Sequence, residues 1–131
     1  MHLVSDFCNR VSQAAKIKLK TVIVRSSRIV VSSLFIVYRL GYINFFKILN
    51  FKYVTVSIKY FLGASVLRAI FSLSKPSLKN YLKYKKIQGY VLNNKVGLNG
   101  FLIFSTNSGS LDLDIECLLH KSGGKALWAV Y

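Results

Sequence analysis

Carboxylates are what this chain most lacks. Asp6, Asp112, Asp114 and Glu116 are its only acids, against nineteen Lys and Arg, a formal net charge of +15 over 131 residues. Between Phe7 and Leu111 there is no acid, and that span holds 17 of the basic residues, all but Lys121 and Lys125. Such a segment has no internal ion pairs with which to neutralise itself, so folding it compactly carries self-repulsion that an external polyanion relieves. Nucleic acid also repays the contact by releasing its condensed counterions.

Other scarcities narrow the function further. Cys8 and Cys117 lack the paired spacing of a zinc site or a redox motif, and His2 and His120 stand equally alone. No metal site and no cofactor is expected. Asp112, Asp114 and Glu116 lie close together, but at the start of an expected helix, where they complement its dipole. Ser105 has no His or Asp at a recognisable nucleophile elbow. An enzyme with a small-molecule substrate is not expected. The apolar run from Ile29 to Tyr38 is ten residues long and holds Ser32 and Ser33, too short to span a bilayer. No membrane insertion is expected, although a basic protein lying peripherally on anionic lipid is the alternative.

What is present suffices for a core, since 53% of the residues are hydrophobic. Apolar spacing at Val4, Phe7, Cys8, Val11 and Ala14 or Ala15 predicts a helix. Thr21 to Val24 predicts a strand. Ser26 or Ser27 caps a second helix running to about Leu40, with Gly41 as its stop. Phe45 to Leu49 and Tyr53 to Phe61 predict two strands. The first half is thus α-β-α-β-β, with one sheet face under the helices and the other available. Gly63 marks a boundary between lobes 1–63 and 64–131. Beyond it come an expected strand Val66 to Leu73, a break at Pro76, and a basic extended arm Ser77 to Lys86. A turn at Gly97 to Gly100, a strand Phe101 to Phe104, a loop Ser105 to Ser110, one short helix near Leu113 to Leu119, and a strand Ala126 to Tyr131 follow. The fold class is α+β, two-lobed, with a mostly β carboxy-terminal lobe.

Two stretches suit nucleic acid. Ser105, Thr106, Asn107, Ser108 and Gly109 offer small hydrogen-bonding groups and a closely approaching backbone, apt for the shallow minor groove of A-form RNA. The same residues equally make an exposed turn before a helix. Lys75, Lys79, Lys83, Lys85 and Lys86 interleave with Tyr81 and Tyr84, a pattern of phosphate contacts beside stacking rings. The competing arrangement puts the tyrosines in a core and the lysines on a solvated face. Five lysines without an intervening acid favour RNA.

In order, these pieces resemble the small-subunit ribosomal protein S8 family in its bacterial and organellar form. Ser5-Asp6-Phe7-Cys8-Asn9-Arg10-Val11 resembles the family's opening helix. Ser26-Ser27-Arg28-Ile29 with Leu40-Gly41-Tyr42-Ile43 resembles its second helix and glycine exit. Ile58-Lys59-Tyr60-Phe61 resembles its Leu-Lys-Tyr strand, and Ser74-Lys75-Pro76-Ser77-Leu78-Lys79-Asn80-Tyr81 its proline-containing arm. Gly100 to Gly109 resembles the family's glycine, apolar strand and Ser-Thr-Ser-x-Gly loop, and Gly123-Gly124 completes the set. Asn107 replaces the second serine, Lys125 stands where the family usually has Glu, Asp112 lies near an expected threonine, and the stretch from Gly109 to Gly123 is slightly longer than usual.

The resemblance implies a structural protein that binds the central domain of small-subunit rRNA, supports its assembly and touches neighbouring small-subunit proteins. It places Ser105, Thr106 and Asn107 at the RNA, with Tyr81, Gly123 and Gly124 beside them. Arg10, Arg28 and Lys59 are the expected contributors from the amino-terminal lobe. Composition suggests an AT-rich genome, and with no transit peptide in evidence it points to the mitochondrion, with a bacterial cytoplasm as alternative.

Overall fold

A computed structural model describes residues 2–74, 81–93, 100–106 and 111–131, which form two compact units, His2–Ile70 and Phe71–Tyr131. The architecture is α+β.

In the first unit, helix α1 (His2–Lys16) buries Val4, Phe7, Cys8, Val11, Ala14 and Ala15, the face its spacing predicts. Strand β1 (Thr21–Arg25) follows, then helix α2 (Arg28–Arg39). Of the two serines that precede it, Ser27 is the cap: its Oγ accepts from the Val30 N–H at 3.2 Å. Gly41 leaves the helix at φ +86°, in the left-handed region. Strands β2 (Ile43–Ile48) and β3 (Tyr53–Ile58) complete an antiparallel sheet of order β1-β3-β2. Val54, Val56 and Ile58 of the central strand are buried, while Ile23, Phe45 and Tyr53 on the opposite face remain exposed.

The expected strand Tyr53 to Phe61 is interrupted at Lys59. Strand β4 (Tyr60–Phe61) instead turns back through Leu62 (φ +52°) and Gly63 (φ +80°) to pair with β5 (Ala64–Ser65). Two successive positive φ values make the tight hairpin whose twist suits antiparallel strands. The continuous strand expected from Val66 to Leu73 is likewise shortened to β6 (Ile70–Ser72), because the Ser65 hydroxyl donates to the Leu67 carbonyl at 2.7 Å and bends the chain first.

The second unit holds β7 (Tyr81–Leu82), α3 (Tyr84–Asn93), β8 (Phe101–Thr106), β9 (Leu111–Leu113), α4 (Asp114–Leu119) and β10 (Gly124–Val130). Its sheet runs β6-β10-β8-β9, with β7 also on β10. Among the described residues the unit therefore has two helices rather than one. The basic arm is not extended as far as Lys86, because Tyr84 begins a helix whose Tyr84, Ile87 and Tyr90 sit three apart. Ile87 is fully buried among Leu102, Phe104, Cys117, Ala126 and Ala129, with Tyr84 and Tyr90 packed against that cluster. Burial of that stripe outweighs the repulsion among Lys83, Lys85 and Lys86.

Candidate nucleic-acid interface

Ser105 and Thr106 end strand β8 rather than lying in a loop, and Gly123 and Gly124 lead into β10 beside them. The register then places the key residues in rows. Lys125 lies opposite Tyr81 of β7 on one side and Ser105 of β8 on the other. Gly124 lies likewise between Leu82 and Thr106. Side chains in one cross-strand row share a face, and adjacent rows take opposite faces. Phe104 and Ala126, one row further in, are buried in the core. Tyr81, Lys125 and Ser105 therefore share the outward face, where Tyr81 is 67% exposed.

Thr106 falls on the inward face. It is buried, and its hydroxyl donates to Asp112 Oδ2 at 3.2 Å, joining β8 to β9. Asp112 is thus a strand residue that receives this hydroxyl, while Asp114 and Glu116 occupy the first turn of α4. The Glu116 carboxylate accepts from the Leu113 N–H at 3.3 Å, satisfying one otherwise open helix-end donor.

The two glycines have a steric reason. A methyl group on Gly124 would collide with the Ser105 carbonyl oxygen, and one on Gly123 with the Leu82 carbonyl oxygen. Only glycine lets β10 approach β7 and β8 this closely. Alongside, Tyr81, Leu82, Lys83, Tyr84 and Lys85 face Gly123 and Gly124 across an open groove of about 650 Å³. The groove lies at the start of α3, whose first turn contains no acid and does contain Lys85 and Lys86. Unpaired N–H groups at a helix start attract anions, and ammonium groups there are favoured only when an anion joins them.

Lys75, Lys79, Asn107, Ser108 and Gly109 lie outside the described residues. In the first unit, Arg10 is engaged by Asp6, Nε to carboxylate at 3.0 Å, and reaches the Ile23 carbonyl at 3.4 Å. Arg28 is the exposed first residue of α2, and Lys59 is half-buried at the break after β3. The sequence brought forward neither Leu82 as a groove wall nor Lys125 as the centre of the outward row. The run of glycine then lysine beside an apolar strand was the available signal for Lys125, but only strand pairing shows its neighbours.

The remaining chemistry is quiet. Burial pushes the Cys8 thiol up to about 12. Burial, then the Asp112 carboxylate, pushes Cys117 up to about 11, so both stay protonated and unreactive near neutrality. Among the described residues no three His, Cys, Asp or Glu gather as metal ligands, and no helix is long and apolar enough to cross a membrane.

The profile of a family described as ribosomal protein S8 matches residues 2–131. The chain is 35% identical over 127 residues to small ribosomal subunit protein uS8m of Acanthamoeba castellanii, covering 97% of each protein. It is 32% identical over 132 residues to uS8 of Rickettsia canadensis, covering 98% of this chain and 96% of the relative. With uS8 of Malacoplasma penetrans the identity is 32% over 135 residues, covering 100% and 98%.

Proposed function

Because the chain belongs to the ribosomal protein S8 family, whose members are structural and non-enzymatic components of the small ribosomal subunit, we propose that it binds the central domain of small-subunit rRNA and supports its assembly. The observation that carries this is the outward row of Tyr81, Lys125 and Ser105 beside the basic groove at the start of α3. The Ser105 hydroxyl donates to or accepts from ribose hydroxyls and base edges in a minor groove. Tyr81 stacks on a ribose or an unpaired base. Lys83 and Lys85, with the α3 amides, hold a phosphate along the groove. Gly123 and Gly124 keep the strands tight enough for the row to act as one surface. Thr106 braces that surface from beneath through Asp112.

Lys75, Lys79, Asn107, Ser108 and Gly109, outside the described residues, are further rRNA contacts on the strength of the sequence alone. Arg28 and Lys59 give phosphate contacts from the amino-terminal unit, and Arg10 does so only by sharing its guanidinium with Asp6. The likeness to the mitochondrial relative supports a place in the mitochondrial ribosome. Fractionation of the source cells should find the chain in purified mitoribosomes, and recovery from a bacterial cytoplasm would give the other location.

The test is a binding titration against a central-domain rRNA hairpin and a scrambled hairpin at several salt concentrations. Native preference should survive added salt. Ser105→Ala should weaken binding by about 1 kcal/mol, about fivefold, and Tyr81→Ala by about 1–3 kcal/mol. Equal, steeply salt-sensitive binding to both RNAs would reduce the protein to a generic polycation. Preference for anionic vesicles over the hairpin would favour a peripheral membrane role.

A further inference from the structure

The groove beside α3 leaves unexplained an apolar surface on the other unit. Phe35 and Tyr38 of α2 are 61% and 51% exposed, and Phe45 and Ile48 of β2 are 55% and 54% exposed. Phe46 stands between them, its ring 5.1 Å edge-on from Phe35 and 6.4 Å from Tyr38. These residues and Lys47 line one groove of about 490 Å³. Four large apolar side chains left in water at one place are a cost that a binding partner removes.

The backbone indicates the kind of partner. Strand β2 lies at the edge of its sheet, pairing with β3 on one side, and among the described residues no strand pairs with its other side. The bulge in β2 falls between Ile43 and Phe45, so Phe45 to Ile48 run in regular register and present an ordinary strand edge. Alternation puts Phe46 and Ile48 on the helix side of the sheet, and Phe45 and Lys47 on the open side. Both pairs line the groove, which therefore follows the strand edge itself. An edge of alternating N–H and C=O groups matches another strand, and a row of phosphates offers it no donors.

We infer that β2 is a docking edge for an extended segment of a neighbouring small-subunit protein, which adds to the sheet as a fourth strand. This rests on the ribosomal reading and names a surface for its protein partner. Cross-strand neighbours set the chemistry of that segment. Residues beside Phe46 and Ile48 are apolar and enter the space next to Phe35 and Tyr38. The residue beside Lys47 is Asp or Glu. Charge favours such a partner throughout, since the unit His2–Ile70 carries eleven Lys and Arg against Asp6 alone.

Small subunits assembled with p-benzoylphenylalanine at position 45 of the full chain provide the test, with cross-linked peptides mapped by mass spectrometry. The expected result is attachment to one ribosomal protein segment in which apolar residues alternate with at least one Asp or Glu. Adding Lys47→Glu should cut the yield about tenfold, while sedimentation of the chain with the subunit persists. Cross-links to rRNA, cross-links to nothing, or a yield indifferent to Lys47→Glu would overturn the docking edge alone. A chain absent from small subunits would remove the ribosomal reading and the docking edge together.

Discussion

Asp114 shows how one residue carries a cost in this fold. It is 8% exposed, its Oδ1 finds no hydrogen-bond partner, and burial raises its pKa despite backbone hydrogen bonds, Leu102 among them. The folded protein therefore holds the proton more tightly than the unfolded chain, in which the carboxyl titrates near its ordinary value of 3.8. As pH rises from there through the raised value, the unfolded state releases its proton first and stability falls. Asp114→Asn escapes that loss but forgoes the charge at the start of α4, worth about 0.3–1 kcal/mol. In urea melts the stability of the variant relative to the native protein should improve as pH rises from about 4 toward neutrality. A difference that stays constant with pH would mean that the carboxylate is fully solvated or paired. Composition shows Asp114 as an acid in the first turn of a helix, which it is. Its burial depends on where β9 delivers the chain.

Elements with strong local signals emerge where the sequence puts them. The stripe of α1, the glycine exit of α2 and the alternation along β3 each follow from side-chain spacing within one segment. The choice between Ser26 and Ser27 does not, because both hydroxyls stand at the right distance from the helix. It is decided by the Ser26 N–H, which donates to the Lys52 carbonyl at 2.6 Å and leaves Ser27 as the cap. Ser27→Ala should lower the unfolding free energy by about 1 kcal/mol in a denaturant titration, and Ser26→Ala much less. Equal losses would show that the hydroxyls exchange roles. Helix α3 is the opposite lesson. Its lysines and tyrosines suggested an extended RNA-binding arm, yet Tyr84, Ile87 and Tyr90 close over the apolar cluster. Charge dominates the composition of this stretch, while the fewer apolar positions determine its conformation.

At the scale of the whole molecule, charge is the governing quantity. Four acids can pair with at most four of the nineteen Lys and Arg, as Asp6 does with Arg10, so the net +15 is uncompensated within the chain. Raising salt from low to physiological ionic strength should therefore stabilise the protein, by about 1 kcal/mol or about 4 °C in Tm. The hairpin should raise Tm further by binding the folded state alone. A Tm that falls with salt would indicate internal charge pairing instead. The predicted variants separate these effects: changes at Ser105 and Tyr81 alter RNA affinity with little effect on Tm, since both side chains face outward.

By itself the sequence determined the α+β class, the polyanionic partner and the ordered motifs of a known family, because each rests on composition or on residues near one another along the chain. Tertiary structure decided which side chains share a surface. Thr106 and Ser105 are neighbours in the sequence, yet a period of two sends one hydroxyl inward to Asp112 and the other out beside Lys125 and Tyr81. That row joins residues from β7, β8 and β10 that are distant in the chain. Only backbone hydrogen bonding, made close by two glycines without side chains, brings them together.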